Sequence, residues 1–354
     1  MPFRIETGLL NPDTAQYAGK GQARATIDAI AAEAGRIEAL GFDGACAPEA
    51  GHDPFLPLAI AAEHTSRIRL GTNVAIAFPR SPMVTAQLAW DLQQLSGGRF
   101  NLGLGTQVKG HIELRYSTPW TAAPGPRLRE YLRCLKAIFQ SFQDGKPHAF
   151  EGQHYRFSLL PPFFNPGAID HSAPPIYLAA VNPYMSRLAG ELCAGLRLHA
   201  IDTFAYTREV VLPAIAAGAA KGGRRLADID IVGAPFLAIG ADEGEVRKAM
   251  QALKQHVSFY ASTRTYHTVL AFHGWEDVGL ELHRLSREGK WQEMPALITD
   301  DMLAEWAIIA TYDQLAAELR ARCDGIFSTL LLDLPHRLRR DEARVRELVQ
   351  TLSG

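Results

Sequence analysis

Side chains able to do chemistry gather where short apolar runs of this chain give way to turn residues. "APEAGHDPF" offers Glu49, His52 and Asp53, and "GLGTQVKGH" offers Thr106, Gln107, Lys109 and His111. "LHAIDTF" adds His199 and Asp202. A carboxylate and an imidazole as close as Glu49 and His52 can share proton transfer, provided both reach the reacting atom. Each residue also has a plainer use: Glu49 as a salt-bridge partner, His52 as a cap, Asp53 before Pro54 as turn chemistry. Asn73 differs from these because it interrupts the otherwise apolar stretch "LGTNVAIAFPRSP", where an internal water is its simplest partner.

Val181-Asn182-Pro183 marks another such boundary. Proline at the first helical position leaves the N–H groups of a helix start open, and these favour an anion such as phosphate. No H-E-x-x-H, G-x-S-x-G or P-loop spacing occurs, and the histidines do not cluster at metal-ligand spacing. No metal site is expected.

These residues need strands to carry them. Eight strand-like runs alternate with amphipathic helices: Arg4–Leu10, Phe42–Glu49, Ile68–Phe78, Arg99–Thr106, Ile176–Val181, Gly195–Ala200, Ile229–Gly240 and Gly325–Leu334. One helix places Ile27, Ile30, Ala34 and Ile37 on a stripe and ends at Gly41; the next carries Val84, Leu88, Leu92 and Leu95 and stops at Ser96–Gly98. A third, Leu128–Phe142, turns Leu132, Leu135, Ile138 and Phe139 inward. Strands separated by helices pair in parallel, and eight such units favour a closed α/β architecture, the (β/α)8 TIM barrel. No glycine-rich dinucleotide turn follows the first strand.

The whole of 1–354 reads as a single domain, with insertions about 145–175 and 258–309 that are expected to cover the C-terminal rim. Phe163, Phe164, Tyr260, Tyr266, Phe272 and Trp275 in those insertions would form an apolar lid or simply pack.

Composition sets the outer limits. The chain has 354 residues, 47% hydrophobic and 21% charged, with a formal net charge of −2, so neither nucleic acid nor an anionic membrane surface is an expected partner. No run of about 20 apolar residues is present, and "MPFRIETGLL" lacks the basic flank of a signal peptide. Cys46, Cys134, Cys193 and Cys323 are widely spaced, which fits free thiols in a reducing cytoplasm. "HRLRRDEARVRE" reads as a solvated helical face.

Several motifs occur together in order: "GFDGACAPE", "RIRLGTNVAIAFPRSPMVTAQLAWDLQQLSGGRFNLGLGTQ" and "PPIYLAAVNPYMSRLAGELCAG". With "YRFSLLPPFFNPG", they resemble the bacterial luciferase-like superfamily, and within it the deazaflavin oxidoreductases that use coenzyme F420. The resemblance implies a (β/α)8 barrel with a flavin or deazaflavin across the strand ends. It implies a non-prolyl cis peptide at Asn73-Val74, forming a bulge behind the ring. Gly105, Thr106 and Gln107 would line the ring edge, and Ala180, Val181 and Asn182 would hold the phosphate-bearing tail.

Relatives commonly carry an acid and then a histidine after the second strand, whereas this chain has Glu49-Ala50; Val108 stands where some relatives have a second glutamate. Proton handling then falls to Glu49 with His52, or with His111. The implied function is hydride transfer between F420 and a small-molecule substrate, in a homodimer. Two alternatives stand beside it: an FMN-dependent monooxygenase served by a separate flavin or F420 reductase, and a flavin-binding barrel that has lost catalysis.

Overall fold

The computed structural model describes residues 2–9 and 26–354. Eight strands form its barrel: β1 (Arg4–Gly8), β2 (Gly44–Ala47), β3 (Arg69–Thr72), β4 (Phe100–Gly105), β5 (Ile176–Ala180), β6 (Gly195–Leu198), β7 (Asp230–Gly233) and β8 (Thr329–Leu331). Every neighbour pairs in parallel, from β3 through β2, β1, β8, β7, β6 and β5 to β4, and β3 pairs with β4 to close the ring. Parallel strands covered by helices are buried on both faces, hence the small, unbroken apolar runs such as Gly-Ala-Cys-Ala in β2.

The helices start and stop where the sequence says they should. Thr26 and Ser81 cap Ile27–Ala39 and Pro82–Leu95 by accepting from Ala29 and Val84 N–H. The helix expected at Leu128–Phe142 runs from Pro124 to Asp144 and ends at Gly145, whose φ of 69° is left-handed.

One strand expectation is corrected. Ile229–Gly240 is not a single strand: β7 stops at Gly233, and Phe236–Gly240 leaves the barrel to pair in parallel with Ala307–Thr311. Pro235 lies at the break and has no N–H to continue the ladder. The insertion expected to be helical therefore also contains a strand. With helices Glu243–Ala261, Glu276–Arg287 and Asp300–Trp306 this small sheet builds a second core, including Val257, Leu282, Met302 and Trp306. The other insertion contains the short hairpin expected there, Phe150–Glu151 against Arg156–Phe157.

Inside the barrel, Glu6 on β1 and Arg197 on β6 meet at 2.9 Å, with side chains only 7% and 2% exposed. The two strands are not neighbours in the sheet, so the pair spans the interior.

Candidate active site

The backbone is irregular at the C-terminal end of β3. Thr72 Oγ1 donates to Gly103 O at 2.6 Å, and Asn73 N–H donates to Ala47 O at 2.8 Å. The Asn73-Val74 peptide is cis, after which Ala75 and Ile76 resume pairing with β4. Such a bulge needs a neighbour without side chains. A Cβ on Gly103 would stand 2.0 Å from Thr72 O, and one on Gly105 would stand 2.8 Å from Val74 Cγ2. The two glycines of "GLG" thus serve the close approach of backbone. Val74, Gly105 and Ala179 meet here, next to the expected tail residues Ala180 and Val181. Thr106 and Gln107 follow directly, half-buried; Gln107 is held at a φ of 58° and accepts from Val108 N–H through its own Oε1.

Glu49 is tied into this region by three donors. Its Oε2 accepts from Ile76 N–H at 2.7 Å and from Arg80 Nη1 at 2.6 Å, and its Oε1 accepts from Tyr116 O–H at 3.1 Å. The Glu49 side chain is 6% exposed. Burial, and then the Glu49 carboxylate, raise the Tyr116 phenol above its usual range, so tyrosine is the donor. Arg80 also reaches Asp53 Oδ2 at 3.0 Å, while Asp53 Oδ1 caps the helix Phe55–Glu63. Ala50, where relatives carry histidine, offers its carbonyl to Arg115. His52 and His111 are both exposed, His52 in the loop before Pro54 and His111 on the short helix Lys109–Leu114.

The helix start at Pro183 is as expected, but Asn182 spends its side chain on it. Its Oδ1 accepts from Met185 N–H at 3.0 Å, and Pro183 has no N–H, which leaves Tyr184 as the open donor of the first turn among the described residues.

Residues outside the expected set also belong to this site. Arg80 and Tyr116 hold Glu49; Glu6 and Arg197 form the floor, where Arg197 Nε and Asn101 Nδ2 lack a hydrogen-bond partner. Beyond β6, His199 and Asp202 sit under the insertion. Burial, followed by His256, pushes the His199 imidazole down to about 4, and burial drives the Asp202 carboxyl well above its usual range.

A family model described as luciferase-like monooxygenase matches residues 7–329. The chain belongs to that family. The uncharacterized protein Rv1360 of Mycobacterium tuberculosis is 43% identical over 309 residues, 87% of this luciferase-like chain and 89% of Rv1360. A 5,10-methylenetetrahydromethanopterin reductase of Archaeoglobus fulgidus is 29% identical over 263 residues, covering 73% and 74% of the two chains. The structure of the coenzyme F420 dependent tetrahydromethanopterin reductase from Methanopyrus kandleri superposes with a TM-score of 0.77 at 21% identity, covering 100% of both chains. The closed eight-stranded barrel of this family member is the same fold. The described residues contain no helix long and apolar enough to cross a membrane and no cluster of ligating side chains placed to hold a metal.

Val74 and its small neighbours give an apolar wall without bulky side chains, and the Pro183 helix start adds an N–H donor.

Proposed function

We propose that this luciferase-like oxidoreductase binds coenzyme F420 non-covalently and exchanges hydride with a small organic substrate. The observation that carries the reading is the close approach of Thr72 and Val74 to Gly103 and Gly105 at the mouth. The F420 in the name of the Methanopyrus structure and the reductase named from Archaeoglobus support it. When bound, the deazaflavin supplies or accepts hydride at its C5, while the protein contributes orientation and exclusion of water.

In this reading Asn73 and Val74 back the ring, and Gly105, Thr106 and Gln107 border its edge. Ala180, Val181 and Asn182 hold the tail, with Tyr184 N–H as an anion donor. Glu49 and His52 handle the proton, and Arg80 and Tyr116 keep Glu49 in place.

The second reading is an FMN-dependent monooxygenase fed by a separate reductase, which the family's description favours. Titration with FMN and F420, each oxidised and reduced, separates the two by fluorescence. Tight binding of F420 alone supports the first, and of FMN alone the second. Binding of neither to folded protein removes both, and binding without turnover of any candidate substrate leaves a carrier.

We also propose a homodimer in a reducing cytoplasm. Leu56, Val84 and Leu95 are exposed on the adjoining helices Phe55–Glu63 and Pro82–Leu95, and all four cysteines are free and buried. Sedimentation velocity checks the oligomeric state.

A further inference from the structure

We propose that His199 binds the substrate: its Nε2–H donates a hydrogen bond to an uncharged oxygen acceptor, a carbonyl or hydroxyl oxygen, at the mouth of the barrel. This rests on the hydride-transfer reading above and adds a residue and a substrate class to it.

Position comes first. Arg197 reaches Glu6 across the interior, so it points into the barrel. β6 ends at Leu198, and His199, the next residue, leaves the strand at its C-terminal end, where it packs on Tyr260 and Tyr266. It is half-buried there.

The proton's place follows from one hydrogen bond. Ile201 N–H donates to His199 Nδ1 at 3.1 Å, so Nδ1 is the acceptor and the neutral ring carries its hydrogen on Nε2. Nε2 has no hydrogen-bond partner among the described residues. Among the described residues, Nε2–H is thus a donor without a partner at the end of β6.

Aromatic rings fix its direction. Tyr266 stacks on the imidazole at 4.9 Å and 28°, and Tyr260 meets it edge-on at 4.6 Å and 80°. His256 stacks in turn on Tyr260 at 5.0 Å. The depressed basicity of His199, with its neighbour His256, keeps the donor neutral around neutral pH. A neutral imidazole polarises an oxygen without presenting a charge, and the tyrosine faces around it favour an apolar body on the molecule that carries that oxygen.

The test uses the full-length protein with side-chain 15N labelling of histidine. Acetone, cyclohexanone and benzaldehyde serve as oxygen-bearing probes and methylcyclohexane as the matched probe without oxygen. The ligand-free spectrum should show a neutral Nε2–H tautomer for His199. At least one oxygen-bearing probe should move the His199 Nε2 resonance, and methylcyclohexane should not. His199→Phe should weaken that probe's binding by about tenfold, the worth of one hydrogen bond, and His199→Gln should restore most of it. F420 or FMN binding should be unchanged in both variants.

An Nδ1–H tautomer, or no response of Nε2 to any oxygen-bearing probe, overturns the proposal. If wild-type protein binds neither F420 nor FMN while the probe still moves Nε2, the cofactor reading fails and the His199 site stands. Cofactor binding with a silent His199 has the opposite meaning.

Discussion

Replacing Glu49 by glutamine removes one charge and changes one atom type, yet it strikes three contacts at once. The Arg80 bond at 2.6 Å and the Ile76 N–H bond at 2.7 Å are charge-assisted, and the carboxylate they share is nearly sealed from solvent. Hydrogen bonds to a charged group contribute about 1.5–3 kcal/mol each, against about 1 kcal/mol for a neutral one. The substituted amide keeps a neutral acceptor for Ile76, but its N–H2 must then face Tyr116 O–H, which can turn to accept. Arg80 keeps Ile76 O and Asp53, so it is not stranded. The net loss is therefore about 1–4 kcal/mol. Urea denaturation followed by circular dichroism reads it as a lowered midpoint at constant slope.

Cofactor affinity should fall alongside, because Ile76 lies two residues beyond Val74 and its anchor is weakened from a charged to a neutral acceptor. Arg80→Lys should give part of the same loss, since lysine cannot reach Glu49, Asp53 and a carbonyl from one planar head. A stability change below about 0.5 kcal/mol in Glu49→Gln, the size of an ordinary surface substitution, would refute the clamp.

Three further outcomes are expected. Glu6→Ala strands Arg197 inside the barrel and should cost about 3–5 kcal/mol, while Glu6→Gln combined with Arg197→Met should regain most of it in the same urea assay. Gly103→Ala drives a methyl into Thr72 O and should cost about 1–3 kcal/mol or more, with weakened cofactor binding as the bulge shifts. His199 has its basicity depressed from 6.5 to about 4 on folding, so the unfolded chain takes up a proton that the folded chain refuses. Stability is then fully present above about pH 6.5 and falls by about 2–3 kcal/mol on acidification to about pH 4. His199→Phe should flatten the urea midpoint over that range relative to wild type.

The barrel was legible because its signal is periodic: eight apolar runs, helical stripes between them, and glycine stops such as Gly145. Asn73, read as an anomaly in a buried strand, does mark the bulge, and Asn182-Pro183 does start a helix. What escaped was anything depending on partners far apart in the chain. The sequence allows Glu49 a salt bridge but does not name its partners, Arg80 and Tyr116, which arrive from two other loops. Arg4, Glu6 and Arg197 did leave a trace, charged residues within strands that should be buried, which is the mark of a polar interior. The break of Ile229–Gly240 was hidden because β-branched and apolar residues run on both sides of Pro235; only the ladder's need for an N–H divides them.

The Glu6–Arg197 bridge also decides how this molecule can be loaded. With opposite charges locked across its middle, the cylinder is a cup with a solid base, and nothing can be threaded through from below. On the proposed reading, cofactor and substrate would both be taken up at the C-terminal rim of the barrel.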